Sequence, residues 1–554
     1  MNLTTEEQRH RDKAKYTFQN GKRKASKKIL DIFNFQFSIL IFASLCLCVS
    51  AVNLSCGSKP ADLRALIPAD SLVYLESNDL GAVMNAITER PAFREAAKTV
   101  PDFSVLNGVK LAVTVTGFET KELPVTDENS VLSFTPHFVA VLETNAWNFQ
   151  AVSFTQDRLG EFINQVYGGE VLLETSDKHD GKYFVWTAKD GRKAFALVQG
   201  SVVFFGNDET SIEKCLAVKR GEADSIAKNP KITDGDRLAF GYVSPDGIAQ
   251  IANIFGLSMA SSISEEAEVK TFVARVLPEI LRNSLREATW TATKGEEGII
   301  DSYSISMNPE IAAVLSETIV PGGKAAESRS WANVGLSGTV TRYNLRDARL
   351  AWRSILLAAG KLIDPTSGRL VVAFANSLFE PYGIEDGEKF LSSVDPEILT
   401  VRHGEANENV FVLAKVKDPN AFEQSIAKEL RDAKAESAGP AGELVRRTPD
   451  GDFILISETT GAVKLGDTDA VQKVPETAGP GYKKVFESDA AAATYGVVAS
   501  AAQVVLAITE LKDEQTVPAN YFTETRVNRN GIERRTVSDF GFIGWIITQS
   551  VKDE

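Results

Sequence analysis

Apolar and polar positions along this chain follow three rhythms, and each predicts a different kind of element. The first is an unbroken run: "FSILIFASLCLCVSAV", Phe37 to Val52, has sixteen residues and no charge. That length lies between the apolar region of a signal peptide, about 7–15 residues, and a full membrane span of about 18 or more. The second is a helical period. Leu159, Phe162, Ile163 and Val166 recur at i, i+3, i+4 and i+7, and Phe422, Ile426 and Leu430 form a comparable stripe in "DPNAFEQSIAKEL". Each predicts a helix with one buried face. The third is a series of short apolar runs broken by turn residues. "VLLETSDKHDGKYFVWTAKDGRKAFALVQGSVVFFG" reads as successive strands turned at Asp180-Gly181, Asp190-Gly191 and Gln199-Gly200,. The helix "ETSIEKCLAV" closes that unit, with Ile212, Cys215 and Leu216 on one face,.

The same order of elements recurs later in the chain. "GSVVFFGNDE" from Gly200 and "GAVKLGDTD" from Gly461 each contain a glycine-opened strand, a closing glycine and polar helix-capping residues,. "LAFGYVSPDGIAQIANIFG" recurs with a gap as "ATYGVVASAAQVVLAI", a strand entering an amphipathic helix. "ATWTATKGEEGIIDSYSISM" recurs as "TETRVNRNGIERRTVSDFGFIGWII", a hairpin around a glycine turn, marked in the second copy by Asn530-Gly531,. Gly206 and Gly466 are 260 apart, Gly241 and Gly496 are 255 apart, and Gly298 and Gly531 are 233 apart. A constant order with shrinking offsets predicts duplication of one large unit with insertions. Strands outnumber helices and hairpin turns outnumber βαβ spacings. The expected fold class is therefore α+β: two diverged copies of a mixed, mostly antiparallel sheet with helices packed on it, preceded by an N-terminal apolar helix. The join falls near "PGGKAAESRS", Pro321 to Ser330, giving a basic flank and apolar segment at 1–56, a first repeat at 57–320 and a second at 331–554,.

Charge adds an address. Residues 1–28 carry nine Lys/Arg and a net +6, residues 29–56 carry only Asp31, and the rest of the chain carries −19. A basic flank ahead of an apolar segment holds the N-terminus in the cytoplasm and sends the downstream chain across the membrane. The acidic body is repelled by phosphate backbones, so no nucleic-acid partner is expected. Three fates of the segment stay open. "VSA" ends at Ala51, a small residue suited to signal cleavage before Val52,. "NLSCG" resembles a lipobox with Cys56 as the lipid-accepting residue; Ser55 and Gly57 fit, whereas Asn53 stands where an apolar residue belongs. In the third, the segment stays uncleaved as an anchor.

"ALIPADSLVYLESNDLGAVMNAI", Ala65 to Ile87, resembles the opening of a bacterial envelope family known only as a domain of unknown function. In that family a Pro-Ala-Asp-Ser/Thr turn leads into an apolar strand and a short helix start soon after a signal or membrane segment. "YGIEDGEKFLSSVDPEILTVRH", Tyr382 to His403, is similar to a second recurring element there. The resemblance implies a duplicated α+β body, exported and held at a membrane. Pro68 and Asp70 match as turn and cap residues, and no catalytic residue comes with the family.

Chemistry-bearing motifs are sparse. His179 in "DKHDGK" stands between acidic residues on a predicted hairpin tip, where such residues are turn chemistry, and His137 and His403 read as strand-edge residues,. "GLSGT" lacks the spacing of a nucleophile elbow, "PGGKAA" that of a phosphate loop, and "TDGDR" and "PDGDF" lack the further ligands of a calcium loop,. Catalytic, cofactor and metal residues are therefore expected to be none. The leading expectation is a non-catalytic binding or scaffolding protein on the extracytoplasmic face of a membrane. Its expected partners are the membrane, through the N-terminal segment or a lipid, and another envelope protein, with any small-molecule ligand unknown. The alternatives are an envelope hydrolase with a dispersed acidic site and an extracytoplasmic solute receptor. Carboxylates of raised pKa clustered in a cleft would favour the hydrolase.

Overall fold

The computed structural model describes residues 62–549 apart from 127–128, 261–271, 324–337, 363–367, 369–370, 373, 377, 404–408, 438–442, 449–451, 458–460, 468–479, 499–500 and 513–517. The apolar segment, with Ala51, Val52 and Cys56, lies outside the described residues.

Among the described residues ten strands precede position 324: β1 (Val73–Ser77), β2 (Lys110–Thr126), β3 (Asn129–Glu143), β4 (Leu172–Lys178), β5 (Gly181–Thr187), β6 (Lys193–Gln199), β7 (Val202–Gly206), β8 (Ala239–Val243), β9 (Leu285–Lys294) and β10 (Ile299–Met307). Ten come after it: β11 (Thr339–Asn344), β12 (Glu397–His403), β13 (Asn409–Lys415), β14 (Glu436–Ser437), β15 (Glu443–Arg447), β16 (Asp452–Ser457), β17 (Ala462–Asp467), β18 (Ala492–Val498), β19 (Ala519–Asn528) and β20 (Gly531–Ser538). All pair antiparallel in one sheet. The first ten run 4-5-6-7-3-2-1-8-9-10 from the outer edge to the centre. The second ten run 14-15-16-17-13-12-11-18-19-20, the same order with ten added to each number.

The two sets meet along β10 and β20, from Ile299 opposite Ser538 to Ser306 opposite Gly531. With Gly298 and Gly531 as equivalents, Ser302 faces its own counterpart, Arg535, and the seam is symmetric about that pair.

In the first half, strand alternation separates two cores. On one face Val113, Phe138, Trp186 and Phe205 pack beneath helices α1 (Leu80–Thr88), α2 (Pro91–Ala96) and α3, which runs Asn148–Phe154, through a π turn at Thr155–Leu159, into Gly160–Val166. Leu159, Phe162 and Ile163 are buried, as their period predicts. On the other face Tyr74, Val139 and Phe204 pack beneath α4 (Glu209–Lys219) through Ile212, Cys215 and Leu216. Aspartates start several helices: Asp79 accepts from Ala82 N at 3.0 Å at the head of α1, and Asp208 from Ser211 N at 2.9 Å at the head of α4. Each such cap stabilises its helix by about 1 kcal/mol.

Some of the remaining helices pack across the seam, while those between Gly387 and Glu487 stay on the second half's own strands. The first half continues with α5 (Pro245–Ala260), α6 (Leu277–Ser284) and α7 (Pro309–Thr318); the second contributes α8 (Ala348–Lys361), α9 (Gly387–Ser393), α10 (Pro419–Glu423), α11 (Lys428–Asp432), α12 (Pro480–Glu487), α13 (Ala501–Ile508) and α14 (Gly541–Gln549). Ile311 and Leu315 of α7 pack with Ala358 of α8 and with Val527 and Ile532 of β19 and β20. Phe272 and Val276, just ahead of α6, pack with Val371 and Phe374. In return, Val504 and Val505 of α13 and Ile543 and Ile547 of α14 enter the first half's core beside Phe93 and Ala96 of α2. Backbone bonds reinforce this: Lys98 N donates to Glu510 O at 2.8 Å and Lys512 N to Ala96 O at 2.7 Å.

Two expectations need adjusting. The stripe of Phe422, Ile426 and Leu430 is buried, but the helix breaks between α10 and α11. There the Ser425 carbonyl accepts from Glu385 N and Asp386 N, and Ala427 turns extended. His137 lies inside β3 rather than ahead of a strand, since β2 and β3 form one long hairpin ladder.

Candidate functional site

The turn between β4 and β5 builds a well-marked concavity. Lys178 pairs with Gly181 across a two-residue loop, and His179 and Asp180 both take positive φ, 53° and 56°. That is the left-handed pair a type I′ hairpin turn needs. Gly181 is required by contact: a Cβ there would lie 2.3 Å from the Val198 carbonyl oxygen. Between this turn and the start of α3 lies an open cleft of about 620 Å³ lined by Asn148, Val152 and residues 177–182.

Nearly every charge in the cleft is matched. Asp177 faces Lys182 at 3.3 Å, Lys178 faces Glu209 at 2.5 Å, and His179 Nε2 stands 2.8 Å from Glu213 Oε1. The His179 contact lacks hydrogen-bond direction. The Tyr183 hydroxyl donates to Glu209 at 3.0 Å; burial raises the Tyr183 pKa, and the Lys178 hydrogen bond holds Glu209 below the usual carboxylate range. Flanking Asn148, Trp147 is 51% and Phe149 is 69% exposed, and Leu172 at the start of β4 is 61% exposed.

Two of the three carboxylates buried among the described residues, Glu76 and Asp301, tie distant elements together. Glu76 on β1 accepts from Arg64 Nε and Nη2 at 2.8 Å each, from Tyr74 at 2.7 Å and from Arg237 at 2.6 Å. Burial pushes its pKa up, but these donors outweigh burial and hold it low. Asp301 on β10 is almost wholly buried and accepts from Trp290 Nε1 at 2.8 Å and Phe542 N at 2.8 Å. Burial dominates here and raises its carboxyl to about 6. Both groups lock the fold: Glu76 ties β1 to the 233–237 loop, and Asp301 ties the first half to the head of α14.

The structure keeps the three body histidines apart. His137 stands 3.9 Å from Glu119 and 4.0 Å from Asp208, His179 is at the hairpin tip, and His403 ends β12. Among the described residues, no three His, Cys, Asp or Glu side chains converge to hold a metal, and no helix is long and apolar enough to cross a membrane. Cys215 is buried within the core, and burial pushes its thiol up to about 12. The exposed aromatics at 147 and 149 escape sequence reasoning because "AWNF" has no periodicity to distinguish a packed ring from a free one.

No family model matches this chain, and no curated protein matches it. Among solved structures, crystal form I of TP0453 is similar at 10% identity, over 47% of this chain and 86% of that one. Its TM-score of 0.20 is too low to carry an argument about fold or function.

Proposed function

We propose that this chain is an exported, membrane-tethered bacterial envelope protein that works by binding or scaffolding, and that its body is a duplication of one α+β unit. Three coincidences support the duplication. Strand order is the same in both halves, and the seam is symmetric about Ser302 and Arg535. Gly200 and Gly461 open matching strands β7 and β17 with φ of 66° and 65°, while Gly206 and Gly466 close them pressed against a neighbouring backbone. The address rests on the basic flank and the uncharged segment Phe37 to Val52,.

One observation carries the binding reading. In the cleft at the β4–β5 turn, Asp177, Lys178 and Lys182 each face an opposite charge, and Asp180 is exposed. Trp147 and Phe149, on either side of the lining residue Asn148 in sequence, are exposed. Paired charges and free aromatic surface suit recognition.

Intact mass spectrometry of the protein purified from its native host tests the tether. The expected result is an acylated N-terminus at Cys56 or retention of residues 1–51. An unmodified N-terminus at Val52 would overturn membrane tethering.

A further inference from the structure

We propose that the free edge of β4 and the adjoining cleft take up an extended, basic peptide segment of a partner protein as one more strand of the sheet. This rests on the binding reading above and names the chemistry of its partner. Among the described residues β4 is the outermost strand on its side and pairs only with β5. The two-residue turn makes Lys178 and Gly181 a hydrogen-bonded pair, so Leu172, Glu174, Ser176 and Lys178 direct their backbone groups to β5,. Leu173, Thr175 and Asp177 turn theirs outward. Alternating donors and acceptors at that spacing are matched by another extended backbone.

Side chains narrow the choice. Glu174 and Asp180 are exposed and have no ion-pair partner among the described residues. They favour cationic side chains on the incoming strand. On the opposite face Leu173 packs against the core, and the cleft opens beside Val152. A segment alternating basic and apolar residues presents the right group to each face.

In two registers a second copy of this chain fits the edge poorly. The register symmetric about Thr175 sets Leu173 opposite Asp177 and Leu172 opposite Lys178. The register symmetric about Asp177 sets two aspartates opposite each other. Charged edge residues of this kind discourage self-pairing.

The test uses the purified full chain and two fluorescein-labelled octapeptides, one alternating valine and lysine, the other valine and glutamate. Thr175→Pro removes an outward N–H and leaves the β4–β5 ladder intact; Glu174→Lys reverses the charge on the edge. Anisotropy is expected to show saturable binding of the lysine peptide alone, weakened at least about tenfold by either substitution. Thermal melts report folding, and Glu174→Lys decides the matter if the proline variant unfolds. The proposal is overturned by no saturation at about 1 mM, by equal binding of both peptides, or by a well-folded Thr175→Pro that binds normally. A dimer seen by light scattering and abolished by Thr175→Pro also overturns it, by placing a second copy on the edge. The N-terminal mass measurement stands or falls separately, because neither peptide touches the tether.

Discussion

Asp301 is held by donors from both halves of the chain, the Trp290 indole on β9 and the Phe542 amide at the head of α14. With its carboxyl raised to about 6, the folded state binds a proton more tightly than the unfolded chain, whose aspartates titrate near 3.9,. This group therefore favours folding at low pH, and its contribution is lost as pH rises from about 4 through about 6, by up to about 3 kcal/mol. Denaturant unfolding of the native chain should show a gain from this group between pH 7 and pH 5 that Asp301→Asn flattens. Tryptophan emission should titrate with a midpoint of about 6 in the native chain and not in the variant; an unchanged profile in Asp301→Asn would assign the titration to another group. The sequence holds one hint of this residue. In "IIDSYSIS" Asp301 alternates in phase with Ile299, Tyr303 and Ile305, an inward position. Nothing local says that an indole and a helix end wait there.

Elements were legible where a turn has its own chemistry. Gly200 and Gly461 sit where their residue type predicts, because left-handed backbone leaves few alternatives; the expected Asp180-Gly181 turn falls one residue early, on His179 and Asp180, with Gly181 held inside β5 by close approach,. The β2–β3 ladder was not legible, since "TVTGFETKELPVTDENSVLSF" mixes polar residues into both strands and only pairing reveals its length. The break between α10 and α11 was hidden too, because its stripe stays buried on either side. Gly200, in the turn ahead of β7, and Gly206, at the end of β7, allow a quantitative comparison. A Cβ at Gly200 meets nothing within 4 Å, so Gly200→Ala loses only the left-handed allowance, about 1 kcal/mol,. A Cβ at Gly206 would lie 2.4 Å from the Phe138 carbonyl oxygen, so Gly206→Ala should cost more, about 2–3 kcal/mol,. Urea denaturation of the two variants would refute this if their midpoints shifted equally.

At the scale of the molecule, a chain split at the join does not match the packing. α7 is seated on the second half's strands, and α13 and α14 lie in the first half's core. Periodicity shows that a helix has an apolar face; it cannot show which sheet that face will meet. A protease site placed within residues 324–337 should therefore cut the backbone without separating the pieces. After cleavage the two fragments should co-elute on gel filtration and part only in denaturant. Separation in native buffer would contradict the exchange.

The exchange also sets a waiting time. α7 leaves the ribosome 210 residues before β19, the strand it rests on. At about 5–20 residues per second that is roughly 10–40 s, during which Ile311 and Leu315 lack their contacts with Val527 and Ile532,. The first half thus finishes folding only after the last hairpin has been made. A chain with this architecture depends on being kept from aggregating while it is still incomplete.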